Sequence, residues 1–197
     1  MRKKEEFSIS FSDSESIAAS PKKAWAFIYE WLDSLIYAII LILLIFTFLF
    51  RVVGVHGLSM YPTLNNGDWL TVNSIPTKIN QGDIVVVTQP NSLNEPLIKR
   101  VIAKGGDTIN IDFIEHTVTV NGVTMYEPYI AEPTSRMGDF VYPLVVPEGC
   151  LFVMGDNRND SLDSRFKTIG FIDERYVLGV AQARIFPFGD WTINDNE

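Results

Sequence analysis

Ser59 is the residue in this sequence best placed to act as a nucleophile. It lies in GLSMYPTL, residues 57–64, close to Gly57, Met60 and Pro62. A serine hydroxyl attacks poorly until a base removes its proton. Either histidine could supply that base on paper. His116 falls in the alternating EHTVTV and reads as an ordinary strand residue, while His56, three positions before Ser59, would have to reach back within one short loop. Lys99, in LIKRVIA, is the other candidate, because its apolar neighbours could strip water from the amine. An exposed lysine has a pKa of about 10.4, so fewer than about one in a thousand is neutral at pH 7. Lowering that value by ~2–3 units costs ~3–4 kcal/mol of differential solvation, within reach of burial. Taken alone, a lysine in a strand is more often a solvated side chain, so composition and spacing leave the base open.

Other chemistries find less support. Cys150, the single cysteine, sits in the apolar GCLFVM and reads as a core residue; no intrachain disulfide is possible. His56 and His116 are 60 positions apart with no Cys/His ligand pattern, so no metal or cofactor is expected. A net charge of -8 argues against nucleic acid as a partner, which needs a basic face.

The elements that must carry these residues divide the chain in three. Residues 1–24 open with a serine-rich, polar stretch expected to be a disordered cytoplasmic tail. Leu35 to Phe50 is uncharged and bounded by Asp33 and Arg51, a charge-to-charge span of about 27 Å as a helix. With Trp25, Tyr29, Trp31 and Tyr37 at the interface, it is expected to be one transmembrane helix, with flanks over 25–54 and membrane lipid around it. A cleaved secretory signal is disfavoured by the polar lead of more than 30 residues, and a buried helix by the absence of a polar stripe. Arg2, Lys3, Lys4, Lys22 and Lys23 precede the run and Arg51 alone follows it closely, which predicts the N-terminus inside and residues 55–197 outside. That portion reads as short Val-, Ile- and Thr-rich strands between turn residues, including an Asn121-Gly122 hairpin. The predicted class is mainly β: an antiparallel catalytic domain after one helix, with a small β insert at about 108–146.

Taken together, these motifs resemble those of the bacterial type I signal peptidases, or leader peptidases. SMYPTL at 59–64, GDIVVV at 82–87, KRVIAKGGD at 99–107, VNGVTMYEPYI at 120–130 and VPEGCLFVMGDNRNDSLDSR at 146–165 come in family order. The resemblance implies a membrane-bound serine endopeptidase of the plasma membrane that removes N-terminal signal peptides from exported preproteins. In that reading Ser59 is the nucleophile and Lys99 the general base. Ser161 would orient the Lys99 amine, Asp163 and Arg165 would pair to brace the site, and Asp156, Asn157 and Arg158 would hold the adjoining turn. Met60 and Pro62 would lie beside the substrate, Met60 as an apolar contact and Pro62 as a stiffener of the turn.

Two positions depart from the family pattern. Gly57 stands where some members carry a serine that donates to the oxyanion, leaving the Ser59 N–H with help from the Gly57 amide. Gly105 replaces a common proline and is expected mainly to loosen a turn. Two rival readings are a non-catalytic assembly factor that binds exported chains, against which the presence of both Ser59 and Lys99 speaks, and a self-cleaving regulator related to the SOS repressors, which lacks a helix-turn-helix here.

Overall fold

The computed structural model describes residues 21–74, 78–90, 95–188 and 193. The expected tail falls mostly outside them, as do Arg2, Lys3 and Lys4 and the side chains of Lys22, Lys23 and Trp25. The chain forms two compact units, Met1–Leu43 and Leu44–Glu197.

Helix α1 runs over Pro21–Leu49. Its described apolar side chains, among them Leu35, Ile39 and Leu43, are exposed. Among the described residues no helix is long and apolar enough to cross a membrane. The apolar run is also not helical to its end. Residues 50–54, expected as a helix flank, form strand β1 (Phe50–Gly54), which pairs antiparallel with β2 (Trp69–Asn73). Val52 and Val53 are β-branched and favour the pleated conformation.

The second unit is antiparallel throughout its described pairings. Strands β3 (Ile84–Val87), β4 (Leu97–Lys104), β5 (Thr108–Asp112), β6 (Thr117–Val120), β7 (Val123–Thr124), β8 (Leu144–Val145), β9 (Cys150–Met154), β10 (Ile172–Asp173) and β11 (Val177–Phe186) come next in chain order. They form a seven-stranded sheet, β1-β2-β11-β3-β4-β9-β10, and a four-stranded sheet, β7-β6-β5-β8. The smaller sheet draws its strands from residues 108–145. Asn121 and Gly122 both take positive φ, 54° and 79°, which a two-residue type I′ hairpin between β6 and β7 requires.

Central position explains composition. The four residues of β3, Ile-Val-Val-Val, are all buried, because the strand lies between β11 and β4 and is covered on both faces. Strand β4 is buried over most of its length yet carries both Lys99 and Arg100. Successive residues point to opposite faces, so the strand delivers one cation to each side of the sheet.

Three apolar clusters fill the unit. One gathers Val85, Val101, Leu151 and Val153; a second gathers Ile102, Ile109, Val118 and Phe152; a third gathers Val55, Met60, Leu64, Leu70 and Ile84. Gly105 corrects an expectation. A Cβ there would meet the Glu148 Cα and the Gly149 nitrogen at 2.9 Å, so the residue permits a close backbone crossing rather than merely loosening a turn. Cys150 is half-buried at the start of β9 against the second cluster, and burial pushes its thiol up, away from the nucleophilic thiolate.

Candidate active site

Ser59 sits on the loop between β1 and β2, and the sequence anchors that loop by burying its neighbours. Met60 and Leu64 are 2% and 0% exposed in the third cluster. Full burial of such side chains contributes roughly 1.5–3 kcal/mol each. Met60 thus anchors the loop, and it also lines the cleft. Pro62 is exposed, comes after a cis Tyr61–Pro62 bond, bridges to Ile130, and is absent from the cleft wall.

Held in this way, Ser59 Oγ lies 2.6 Å from Lys99 Nζ, in hydrogen-bond contact across 40 positions of sequence. The amine also donates to the Ile98 carbonyl at 3.2 Å. Lys99 is 3% exposed. Burial, the largest influence, lowers its pKa from 10.5; the carboxylates of Asp163 and Asp156 pull it up, Arg165 pushes it down, and the result is about 8. Roughly a tenth of the amine is then neutral at pH 7, against less than a thousandth for a solvated lysine. Both side chains open into a cleft of about 860 Å³, whose wall includes Val52, Val53, Leu97, Ile98 and Leu162.

The histidines play no part in this contact. His56 lines the same cleft but makes no hydrogen bond to Ser59. His116 is not a strand residue as expected. It sits in the turn before β6 with φ 58°, its ring nitrogen 3.1 Å from the Thr134 carbonyl.

The segment 155–165 packs behind the pair. Asp163 and Arg165 form a fully buried bidentate ion pair, with Nε to Oδ1 at 2.8 Å and Nη2 to Oδ2 at 2.9 Å. The Gly155 N–H also donates to Asp163 Oδ2, and Arg165 Nη2 donates to the Arg158 carbonyl. The Asn157 N–H and Nδ2 donate to the Ser59 and Leu58 carbonyls at 3.0 and 3.1 Å, tying this segment to the nucleophile loop. Ser161 is 1% exposed, but the expected hydrogen bond to Lys99 is not made: its Oγ has no partner.

Sequence reasoning missed the outer ring of this scaffold. Beside the Asp163–Arg165 pair, two charges of DNRNDSLDSR reach outside the segment. Asp156 grips Arg100, and Arg158 grips Glu127 at 2.6 Å, with the Tyr129 ring 4.0 Å from the Arg100 guanidinium and 5.9 Å from that of Arg158. The available signal was Arg100 itself, a second cation in an apolar strand that needed a buried partner.

Gly57 has φ 83°, a conformation that favours glycine. Its N–H donates to Asn66 Oδ1 at 2.9 Å and so does not help an oxyanion as expected. The Ser59 N–H meets no acceptor among the described residues, which leaves it available for one.

On this antiparallel β-domain a buried amine meets a half-buried serine hydroxyl at the edge of a cleft, the kind of contact through which an amine can serve as base to a serine nucleophile. Comparison with known proteins gives the family. The family model "Signal peptidase, peptidase S26" matches residues 28–186. Signal peptidase I of Bacillus licheniformis is 38% identical over 174 residues, covering 83% of this chain and 91% of its own. Signal peptidase I T of Bacillus subtilis is 38% identical over 172 residues, covering 82% and 86%. A crystal structure of a signal peptidase I from Enterococcus faecalis aligns with a TM-score of 0.44 at 33% identity, covering 53% of this chain and 97% of that one. The chain belongs to the signal peptidase family, peptidase S26.

Proposed function

We propose that this chain removes signal peptides from exported preproteins, with Ser59 as nucleophile and Lys99 as general base. The observation that carries the reading is the 2.6 Å contact between a serine hydroxyl and an amine whose burial brings its pKa to about 8. Ser59 Oγ attacks the scissile carbonyl carbon while its proton passes to Lys99 Nζ. The oxyanion receives the Ser59 N–H. As the C–N bond breaks, the Lys99 ammonium returns the proton to the leaving amine. Water then cleaves the acyl-enzyme by the same route, giving its proton to Lys99 and restoring the serine.

The supporting roles rest on the contacts. Asp163 and Arg165 keep the 155–165 segment rigid behind the dyad. The apolar wall of the cleft suits the small residues that precede a signal-peptide cleavage site.

We also infer that the enzyme acts as a single-pass protein of the plasma membrane, anchored through α1 with its N-terminus inside. The apolar side chains exposed along Leu35 to Leu44 support this, since water would penalise such a surface.

A digest of purified preprotein in detergent tests the function. Wild type should release the signal peptide, whereas Ser59→Ala and Lys99→Met should not. Cleavage retained by either variant would remove the dyad, and a wild-type protein that binds preprotein without cutting it would favour the assembly-factor reading.

A further inference from the structure

Thr63 lies four positions beyond the nucleophile on the same loop, half-buried, and its hydroxyl donates to Asp156 Oδ2 at 2.5 Å. The acceptor is fully buried. The same carboxylate receives Arg100 in a fork, Nε to Oδ1 at 2.9 Å and Nη2 to Oδ2 at 2.7 Å. Arg100 is itself fixed by a third bond, Nη1 to the Gly82 carbonyl at 2.9 Å. Arg100 adjoins Lys99 on β4, and the two side chains leave opposite faces of that strand. A path of hydrogen bonds thus runs from the loop that carries Ser59, through Thr63, Asp156 and Arg100, to the strand that carries Lys99.

The other ties between the loop and the 155–165 segment start from Asn157 and end on the carbonyls of Leu58 and Ser59. They fix the backbone up to the nucleophile. Thr63 fixes the loop on the C-terminal side of Ser59. We propose that Thr63 is a positioning residue for this reaction, its hydroxyl clamping the nucleophile loop onto Asp156 so that Ser59 Oγ stays within hydrogen-bond reach of the Lys99 amine. This rests on the Ser–Lys reading above.

The clamp also bears on the electrostatics of the base. The charged groups around Lys99 are Asp156 and Asp163 with Arg165 on the segment behind it, Arg100 on its own strand, and Glu95, Asp160 and His56 along the cleft. Asp156 favours the ammonium form. A donor on Asp156 draws on its negative charge, and removing that donor from a buried carboxylate leaves the charge less compensated. The Lys99 ammonium would then persist to higher pH.

Thr63→Val removes the donor at nearly constant volume, and Thr63→Ser keeps it. Both are assayed as full-length protein in detergent with a preprotein substrate, beside Ser59→Ala and Lys99→Met. Thr63→Val should lower kcat about tenfold with KM within about twofold. The acidic limb of its kcat profile should move to higher pH, and Thr63→Ser should restore most of the rate and the original limb. A Thr63→Val enzyme with wild-type kcat and an unmoved limb would overturn the proposal, as would a loss confined to melting temperature. Thr63→Ser behaving like Thr63→Val would do the same. If Thr63→Val does not fold, Thr63→Ala against Thr63→Ser carries the same comparison. Activity retained by Ser59→Ala or Lys99→Met would instead sink the dyad itself.

Discussion

Gly155 packs against Ser59 so closely that a Cβ on it would overlap the Ser59 carbonyl oxygen, and would overlap the Ser161 hydroxyl as well. The nucleophile loop and the 155–165 segment meet at a point with no room for a methyl group. Gly155→Ala should therefore cost about 1–3 kcal/mol of stability through overpacking. Because the displaced group carries Ser59, preprotein cleavage should fall about a hundredfold. Chemical denaturation and a single-turnover assay check both, and an alanine variant with the wild-type rate would contradict the packing.

The Asp163–Arg165 pair has no access to solvent. Asp163→Asn leaves the Arg165 guanidinium buried without its counter-charge, which should cost about 3–5 kcal/mol in a denaturation curve. The same substitution removes a carboxylate that raises the Lys99 pKa. In the molecules that remain folded, the acidic limb of the rate profile should move to lower pH.

Burial of Lys99 has a thermodynamic cost whose sign is measurable. Its folded pKa of about 8 lies below 10.5, so between these values the unfolded chain binds more protons than the folded one, and stability rises with pH across that window. Below about pH 8 the full penalty applies, on the order of 3 kcal/mol. Lys99→Met should accordingly be more stable than wild type at pH 7, and the gap should narrow as pH approaches 10.5. Urea melts at pH 7 and pH 10 measure it; a gap that widens with pH would contradict the buried amine.

Gly57 takes a backbone conformation with φ 83°. Gly57→Ser would place a Cβ in this left-handed region at a cost of about 1–2 kcal/mol. Space around the position is open, so the loss should come from the backbone alone. Introducing this serine should lower the melting temperature without raising kcat, because the strain falls on the loop that carries Ser59. A faster enzyme would show that the loop adapts.

The anchoring proposed through α1 gives a separate expectation. The protein in isolated membranes should resist carbonate extraction, and protease added outside should degrade the domain that carries Ser59 while sparing the N-terminus. Release by carbonate would contradict a span.

Much of the β architecture was legible because strands rich in β-branched residues and Asn-Gly turns are local signals. Lys99 became the choice of base through the company of motifs, and its burial depends on strands far away in sequence. The long-range contacts could not be read. Arg100 reaching Asp156, Arg158 reaching Glu127, Asn66 occupying the Gly57 amide and Gly105 crossing the Glu148 backbone are all contacts between segments whose approach no local pattern encodes. The burial of Met60 was not legible either, since in the sequence it merely adjoins the nucleophile. It is buried because the loop turns it inward.

The central claim is that a dehydrated Lys99 amine takes the proton of Ser59. NMR titration of ζ-nitrogen-labelled lysine in the intact protein, with Lys99→Met identifying the resonance, tests it most directly. The account gives a midpoint near 8, coinciding with the rise in cleavage rate. A midpoint at 10.5, or a rate that does not change through pH 8, would contradict it.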